Sequence, residues 1–303
     1  MTSSPQSDKD IILIIGCGDI GRRVACLALA EGAAVHGLVR SPDKGAELEK
    51  LRIWPVIADL DDPATLTDLP TSGAVVFYFA PPPGGGFTDP RVRTFCAAIP
   101  AGREPGRVVY LSTSGVYGDS GGETVTEDTP PDPRTARGKR RLDAEDAFRE
   151  WGRERGVPVV ILRATGIYGP GRFPVSQLAG GQPVLLEELA PLTNRIHQDD
   201  LARVCLAAAL RGEDGDIYNV SDGHPTTMTH YFTAVADLLG FPRPRQVSLE
   251  EARQVMSPLM LSYMGESRRM DNRKMLAKLG IRLLYPDLDV GLKVSAEGKA
   301  LIS

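Results

Sequence analysis

The stretch of sequence that decides the fold is Ile11-Ile-Leu-Ile-Ile15, which continues directly into Gly16-Cys-Gly-Asp-Ile-Gly21. Five consecutive apolar residues predict a strand that is buried on both faces. The residues that follow, from Asp19 to Glu31, have the apolar spacing of an amphipathic helix. A second apolar run begins at Ala34. The chain therefore opens with a strand–turn–helix–strand unit, which is typical of a parallel sheet.

Three glycines in this turn have separate physical tasks. Gly16 makes the tight turn after the strand, Gly18 lets a pyrophosphate approach the backbone, and Gly21 lets the helix pack closely against the strand. The amino end of the helix then faces the phosphates. In this context the G-x-G-x-x-G spacing predicts a dinucleotide site. The other residues of the turn belong to the same predicted site: Cys17, Asp19 and Ile20.

The same alternation continues along the chain. Strands are predicted at 11–15, 34–39, 55–58, 74–80, 107–113, 157–163 and 216–220. Helices are predicted at 19–31, 63–69, 89–99, 135–155, 199–210 and 227–239, and Gly156 suits a left-handed cap after the fourth. We therefore predict an α/β protein with a Rossmann-type, doubly wound parallel sheet of about seven strands and a small C-terminal substrate lobe.

The domain boundaries are predicted from where the periodic pattern weakens. Residues 1–10 are polar and are expected to be disordered. The dinucleotide-binding domain is placed at 11–172 and also receives 196–240. Residues 173–195 and 241–303 are assigned to the substrate-binding lobe, over the carboxyl edge of the sheet, where open α/β sheets bind ligands.

The end of the second predicted strand indicates which nicotinamide cofactor binds. An acid at this position would accept hydrogen bonds from the ribose hydroxyls and repel a 2′-phosphate. The sequence instead has Arg40 and Ser41, a forked cation and a hydroxyl, with no acid before Asp43. Arg22 offers a second charge, so we predict NADP, with NAD as the alternative if both arginines are solvated surface. Asp59, after the third strand, is the candidate for the adenine contact or else caps a helix.

Composition and charge limit the class of protein. The 303 residues are 42% hydrophobic and 24% charged, which predicts an ordinary packed core. With 35 Lys and Arg against 39 Asp and Glu, the net charge of −4 argues against binding nucleic acid through its phosphates. Four scattered cysteines predict neither a disulfide scaffold nor a metal site. No apolar run is long enough to span a membrane, so we expect a cytoplasmic monomer or homodimer that acts on a small molecule.

Five further motifs follow the dinucleotide turn. They are Tyr110-Leu-Ser-Thr-Ser-Gly-Val-Tyr-Gly118, Leu162-Arg-Ala-Thr-Gly-Ile-Tyr-Gly-Pro-Gly171, Arg195-Ile-His-Gln-Asp-Asp-Leu-Ala202, Ile217-Tyr-Asn-Val-Ser-Asp-Gly223 and Asp271-Asn-Arg-Lys-Met-Leu-Ala-Lys-Leu-Gly280. In this order they resemble the NAD-dependent epimerase/dehydratase family, the extended and atypical short-chain dehydrogenases/reductases. The resemblance covers nearly the whole chain. The run from Val116 to Gly122 looks most like an atypical, YeeZ-type branch.

The resemblance implies a catalytic set made of a Ser or Thr, a Tyr and a Lys four residues after the Tyr. In the family the Tyr exchanges a proton with the substrate oxygen while hydride moves to or from nicotinamide, and the Lys lowers the Tyr pKa and holds the ribose. The motifs place the hydroxyl at Thr113 and the lysine at Lys139. The residue four before Lys139 is Thr135, which is shorter and a far weaker acid than a phenol with a pKa of about 10.

Lys139 can still hold the ribose, whereas Thr135 does not simply replace the missing tyrosine. Tyr117, Tyr168 and His197 are the alternative proton donors, because the family places their loops near the cleft. Packing or turn anchoring is the other interpretation of the two tyrosines, and we favour it.

The resemblance also implies substrate contacts. Arg172 and Arg195 are candidates for holding a diphosphate, since nucleotide-sugar members use an arginine in this neighbourhood, although here its position is shifted. Tyr117 and His197 are placed at the substrate with them. Ala80 ends the fourth predicted strand, and Pro81 begins a glycine-rich loop that passes near the cofactor in the family and is either a mobile flap or a plain linker.

Two functions stay open at this point. The first is an NAD(P)-dependent oxidoreductase or epimerase that acts on a carbonyl or secondary alcohol, with a nucleotide-linked sugar as one candidate substrate. The second is a non-catalytic NADP(H)-binding regulatory or sensor protein. Thr135 favours the second function. Thr113, Lys139 and the complete dinucleotide turn favour the first, which we prefer.

Overall fold

The computed structural model describes residues 10–296 of the chain. Apart from Asp10, the segment predicted to be disordered, 1–10, lies outside the described residues, and so does the end of the predicted lobe, 297–303. Within 10–296, no helix combines the length and the apolarity that crossing a membrane requires.

Strands and helices alternate through most of the described chain. The strands are β1 (Ile11–Ile15), β2 (Ala34–Val39), β3 (Trp54–Ile57), β4 (Val75–Tyr78), β5 (Arg107–Thr113), β6 (Thr124–Val125), β7 (Val159–Ala164), β8 (Gly166–Tyr168), β9 (Val184–Leu185), β10 (Leu192–Thr193), β11 (Arg195–His197), β12 (Ile217–Val220), β13 (Thr226–Thr227), β14 (Gln246–Val247) and β15 (Arg269–Met270). The helices are α1 (Asp19–Ala30), α2 (Pro42–Lys50), α3 (Pro90–Ala97), α4 (Ala136–Arg155), α5 (Val175–Ala179), α6 (Gln198–Arg211), α7 (Met228–Leu239), α8 (Leu249–Val255), α9 (Pro258–Met264), α10 (Arg273–Leu279) and α11 (Leu288–Ala296).

Seven strands form one parallel sheet in the order β12-β7-β5-β4-β1-β2-β3. The predicted α/β class and the predicted number of strands are confirmed. The order reverses at β1, which pairs with β2 on one side and with β4 on the other. Open α/β sheets bind ligands at the carboxyl ends of the strands beside such a reversal. The ends of β1 and β4 are therefore where a ligand site is expected.

By compactness the chain divides into two units. In the described residues, unit 1 comprises 10–111, 143–161 and 205–216, and unit 2 comprises 112–142, 162–204 and 217–296. This division does not follow the domain boundaries that we predicted from the sequence, which stay a prediction.

The core of unit 1 contains a cluster of four aromatic rings. The centroid of the Tyr78 ring lies 5.5 Å from that of Phe95, 6.0 Å from that of Tyr110 and 5.1 Å from that of Phe148. All four side chains are fully buried. Their tilted and edge-on orientations are those that aromatic pairs prefer. Strands β4 and β5 are thereby packed against residues of α3 and α4.

The helix predicted at 63–69 is wrong. The structure has only a short 3₁₀ turn at Pro63–Thr65, in which Asp62 Oδ1 accepts the Ala64 N–H at 3.2 Å. Asp68 then adopts a left-handed φ of +54°, so no helix continues through it. Leu66 and Leu69 are buried. Their apolar spacing therefore comes from packing in a loop and not from a helical face.

Helix α2 is absent from the sequence prediction. Ser41 is its N-cap, with Oγ accepting the Lys44 N–H at 3.5 Å, and Pro42 occupies the first helical position. A capping serine followed by proline is a helix start signal, whereas the sequence also suits Ser41 to a phosphate. The short helices α8 and α9 were likewise unpredicted, because the stretch they occupy has weak periodicity.

Gly291 of α11 should not tolerate a side chain. A Cβ added there would lie 1.9 Å from Tyr168 Oη. Alanine is normally the better helix former, yet here it overpacks the core, which typically costs about 1–3 kcal/mol. We expect Gly291→Ala to lower the midpoint of thermal unfolding by roughly 3 °C or more, measured by calorimetry.

Gly265→Ala is the matched control for this substitution. Gly265 has an ordinary φ of −89°, and no described atom lies within 4 Å of its added Cβ. Its unfolding midpoint should stay close to that of the unmodified chain. A Gly291→Ala midpoint as high as that of the control would contradict the packing described for α11.

Candidate functional site

Gly16 brings the end of β1 against the end of β4 in unit 1. Its φ is +83°, and an added Cβ would lie 2.7 Å from Ala80 N and 2.9 Å from Ala80 Cα. The Phe79 N–H donates to Ile15 O at 2.8 Å and holds the two strand ends together. Only glycine fits a position that combines this φ with such a close backbone approach. The structure thus places Gly16 and Ala80 in contact at the reversal of the sheet.

The next two glycines differ in their surroundings. No described atom lies within 4 Å of a Cβ added at Gly18, whereas a Cβ at Gly21 would lie 3.0 Å from Ile14 Cγ2. Gly18 is the N-cap of α1 and provides no side-chain cap, and Ile20 is buried in the first turn. Backbone N–H groups at such a helix start are suited to an anion. Space for a ligand is therefore left at Gly18, and close packing is found at Gly21.

Cys17 and Asp19 occupy the turn for different reasons. Cys17 is buried, its N–H donates to Leu38 O at 3.2 Å, and a Cβ added at Gly37 would lie 3.0 Å from its Sγ. Burial raises the pKa of the Cys17 thiol to about 12, so this side chain packs and is not a nucleophile. The Asp19 carboxylate accepts a hydrogen bond from Arg23 Nε at 3.1 Å.

The residues predicted to select the cofactor lie at the end of β2. Arg40 is exposed, and Ser41 caps α2. Arg22 makes an ion pair with Glu47, with 3.2 Å between Nη1 and Oε2. Arg22 therefore has a carboxylate partner already, while the Arg40 guanidinium has no ion pair among the described side chains.

Arg91 connects the loops that follow β3 and β4, a role that the sequence analysis missed. Its Nε donates to Asp61 Oδ1 at 2.8 Å, and its Nη1 donates to Pro81 O at 2.9 Å. The Arg91 guanidinium holds the pKa of the Asp61 carboxyl below its usual value. Asp59 Oδ1 in turn accepts the Asp61 N–H at 3.0 Å. Asp59 and Pro81 are thus held on either side of one arginine.

In unit 2, two threonine hydroxyls accept backbone N–H groups. Thr113 Oγ1 accepts from Gly115 at 3.2 Å, and Thr135 Oγ1 accepts from Gly138 at 3.1 Å, which makes Thr135 the cap of α4. A Cβ added at Gly138 would lie 2.6 Å from Gly115 O, so the two turns are adjacent. Lys139 follows in the first turn of α4 and is exposed. The structure therefore brings the turns of Thr113 and Thr135 together.

The two candidate tyrosines are buried in unit 2. Tyr117 Oη donates to Asn219 Oδ1 at 2.7 Å, and its ring lies under the Arg163 guanidinium, 4.7 Å from Cζ to the ring centroid. Tyr168 Oη donates to Asp287 O at 3.2 Å. Burial raises the pKa of Tyr168 well above its usual value, which makes this phenol a poor acid. These contacts favour the packing interpretation for both residues.

His197 lies inside an aromatic stack and is fully buried. Its ring centroid is 3.7 Å from that of Tyr285 and 5.2 Å from that of Tyr168. Its Nδ1 accepts the Asp199 N–H at 3.2 Å. Arg172 lies in the turn after β8, where its N–H donates to Gly169 O at 3.0 Å. Neither His197 nor Arg172 lines the pocket that unit 2 contains.

A pocket of about 280 Å³ lies in unit 2. It is rich in arginine and hydroxyl groups, and it includes Thr113 and Arg195 of the predicted site. The sequence analysis did not single out the other lining residues: Ser114, Gly115, Arg137, Thr165, Gly166, Leu192, Thr193, Asn194, Met228, Glu266 and Arg268. Ser114, Gly115, Thr165 and Gly166 lie in the motifs at 110–118 and 162–171, and the others are too far apart along the chain for a motif to connect them.

Three of those lining residues, Asn194, Glu266 and Arg268, build the wall of the pocket. Arg268 Nη2 donates to Glu266 Oε2 at 2.6 Å, and Arg268 Nη1 also donates to Gly118 O. Asn194 Nδ2 donates to Arg268 O at 3.0 Å, and Asn194 Oδ1 accepts the Met270 N–H at 2.9 Å. The backbone of β15 is thus fixed by one asparagine, and the Arg268 charge is neutralised by Glu266.

Comparison with known proteins shows the family to which the chain belongs. The model of the NAD dependent epimerase/dehydratase family matches residues 12–221, which include the dinucleotide turn and both threonine turns. The protein YeeZ from Escherichia coli (strain K12) is 28% identical over 290 residues, covering 91% of this chain and 96% of YeeZ. The resemblance stated from the motifs is confirmed.

Solved structures show the same fold. A functionally unknown conserved protein from Silicibacter pomeroyi DSS matches with a TM-score of 0.81 and 30% identity, over 96% of this chain and 99% of that one. The dTDP-glucose 4,6-dehydratase DesIV from Streptomyces venezuelae, solved with NAD bound, matches with a TM-score of 0.77 over 95% of this chain and 96% of that one. At 22% identity, the second likeness shows the fold alone.

Thr135→Ala should reduce stability more than chemistry, because the hydroxyl caps α4. Losing an N-cap typically costs about 1 kcal/mol. We expect a lower unfolding midpoint by calorimetry for Thr135→Ala, and a normal midpoint for Thr135→Ser, whose hydroxyl still accepts the Gly138 N–H. On any substrate that is turned over, Thr135→Ala should stay within a few-fold. A loss of about 10²-fold or more with an unchanged midpoint would instead identify a general acid.

Proposed function

We propose that this protein binds a nicotinamide dinucleotide at the turn between β1 and α1 and uses it to oxidise or reduce a carbonyl or secondary alcohol. The premise is that the chain belongs to the NAD dependent epimerase/dehydratase family. The observation that carries this proposal is the contrast within the turn. Gly16 is pressed against Ala80, and Gly18 is left open at an uncapped helix start. This is the arrangement that a pyrophosphate requires.

NADP is proposed over NAD from the end of β2. Arg40 is exposed there and has no ion pair among the described side chains, and the acid that NAD-binding proteins place at this position is missing. The start of α2, capped by Ser41, lies beside it and adds the favourable end of a helix dipole. Arg22 is a weaker candidate than the sequence indicated, since Glu47 already neutralises it.

The chemical step is proposed from the family resemblance and from the two threonine turns. When bound, the nicotinamide supplies or accepts a hydride. Lys139 would hold the ribose, and Thr113 would donate a hydrogen bond to the substrate oxygen. Each of the hydroxyls of Thr113 and Thr135 accepts a backbone N–H and still keeps its own hydrogen for donation. Thr113 can polarise a carbonyl in this way, although neither hydroxyl is acidic enough to replace a phenol.

A non-catalytic NADP(H)-binding protein is the second candidate function. It is favoured by one observation: the hydroxyl in the tyrosine position caps a helix, while Tyr117, Tyr168 and His197 are buried in packing contacts. Turnover of a panel of carbonyl compounds with NADPH separates the two functions. Oxidation of NADPH with any of them supports the enzyme, and NADPH binding without turnover supports the sensor.

Gly18→Val should abolish binding of both NADPH and NADH. Its side chain would occupy the open space at the start of α1, where the pyrophosphate is proposed to lie. No described atom lies close enough to be displaced, so the unfolding midpoint should not change. Titration calorimetry measures the binding, and Gly265→Val is the control at an equally open glycine. Undiminished binding in Gly18→Val would mean that the dinucleotide site lies elsewhere.

Arg40→Ala should remove the preference for NADPH. A hydrogen bond to a charged group contributes about 1.5–3 kcal/mol, so the dissociation constant for NADPH should rise roughly tenfold or more while that for NADH stays the same. Arg153→Ala, at an exposed arginine near the end of α4, is the control. Equal affinity of the unmodified chain for NADPH and NADH would refute the cofactor assignment.

A further inference from the structure

Met228 presents its sulfur to a buried guanidinium in the pocket of unit 2. It is the first residue of α7, is half-buried and lines the pocket. Arg195 Nη2 donates a hydrogen bond to Met228 Sδ at 3.9 Å. Among the methionines within residues 10–296, only Met228 has a sulfur that accepts a hydrogen bond. Met228 therefore combines access from the pocket with a cation beside its thioether.

The guanidinium next to Met228 is held in place and keeps a donor unused. Arg195 is 6% exposed, and its Cζ lies 3.8 Å from the centroid of the Tyr231 ring. Its Nη2 also donates to Thr193 Oγ1 at 3.1 Å. Its Nε is buried and has no hydrogen-bond acceptor among the described residues. A buried charged donor without an acceptor is unfavourable, so an oxygen placed beside this group would be stabilised.

The thioether itself can supply that oxygen by reacting with a peroxide. A thioether sulfur is a weak hydrogen-bond acceptor, so the long contact with Nη2 leaves electron density on Sδ available for attack. Sδ takes one oxygen of hydrogen peroxide, and an S–O bond forms as the O–O bond breaks. The other oxygen departs as hydroxide and takes the proton of the transferred oxygen, which gives water. The thioether is thereby oxidised to a sulfoxide, the peroxide is reduced to water, and the neighbouring cation stabilises the departing hydroxide.

The product suits its surroundings in an unusual way. A sulfoxide is polar, so oxidation of a methionine commonly disrupts the apolar packing around it. Here an oxygen bonded to Met228 Sδ can lie between the sulfur and the Arg195 guanidinium, within hydrogen-bond distance of Nη2. Hydrogen bonds from charged donors are stronger than those between neutral groups. The sulfoxide would therefore gain a strong donor and not an apolar neighbour.

We propose that Met228 is an oxidation site of this protein, at which a peroxide forms a sulfoxide whose oxygen is bound by Arg195. The modification goes beyond the proposed function and requires no dinucleotide. It turns an apolar part of the pocket wall into a polar one and occupies the guanidinium. Because methionine sulfoxide is reduced back by dedicated reductases, the change is reversible and can act as a redox switch on the pocket.

The first test compares the methionines of the unmodified full chain. The protein is treated with hydrogen peroxide, and mass spectrometry of its proteolytic peptides follows sulfoxide formation at each methionine. Met260 and Met264 are the internal controls, since they are also half-buried but pack against apolar clusters. We expect Met228 to be oxidised roughly tenfold faster or more, because a charged donor stabilises the departing oxygen. Equal rates at the three methionines would overturn the proposal.

Arg195→Leu tests the role of the cation. It should slow oxidation of Met228 roughly tenfold or more, while Met260 and Met264 react as in the unmodified chain. The rates at these two controls also report whether the variant is folded, because unfolding would expose them and speed their oxidation. An unchanged rate at Met228, with both controls unchanged, would overturn the proposal.

Calorimetry of the oxidised chain is a test that needs no variant at Arg195. We expect oxidation at Met228 to leave the unfolding midpoint equal to or above that of the untreated chain, because the new oxygen fills an unused charged donor. Met228→Leu, treated with peroxide in the same way, is the control for oxidation at the other methionines. A midpoint that falls in the unmodified chain and not in Met228→Leu would show that Arg195 does not bind the sulfoxide, and would overturn the proposal.

Discussion

The contact between Gly16 and Ala80 is the constraint on which the ligand-binding edge of unit 1 depends. A side chain at residue 16 would collide with the backbone after β4, so the observed conformation of the turn after β1 requires glycine. That conformation sets where α1 begins and leaves the space at Gly18 open. The parallel pairing of β1 with β2 places Ile15 opposite Leu38, and Arg40 follows two residues later. The proposed pyrophosphate site and the proposed phosphate-selecting arginine thus lie at the same edge of the sheet.

The strands were predictable because their signal is local. The bounds of β1, β2 and β5 are those predicted from the sequence, because a run of β-branched and apolar residues between polar turns usually forms a strand. The helix errors have a different cause. Leu66 and Leu69 are apolar because a loop packs them into the core, and Ser41 caps α2 although a phosphate ligand was an equally good use of its hydroxyl. Short segments contain too few residues for periodicity to separate such alternatives.

The candidate site also contains residues with a local sequence signal and residues without one. The glycine turn was found because its residues are consecutive and each spacing has a steric reason. The pocket of unit 2 is built by contacts that join distant parts of the chain, such as that of Asn194 with Arg268. Nothing local marks Glu266 or Arg268 as partners. Sequence alone also could not show that Tyr168 and His197 lie inside a packed aromatic stack, because a motif gives order along the chain and not burial.

The proposed reaction also requires a donor of a proton to the substrate oxygen. The candidate donors that the structure offers are threonine hydroxyls, and they limit the mechanism. A phenol in the tyrosine position would deliver a proton directly, whereas a threonine hydroxyl that accepts a backbone N–H can only donate a hydrogen bond at neutral pH. Thr113 can therefore stabilise negative charge developing on a substrate oxygen without neutralising it, whereas the Thr135 hydroxyl serves as the cap of α4. Reduction of a carbonyl would then need a proton from solvent or from the substrate itself.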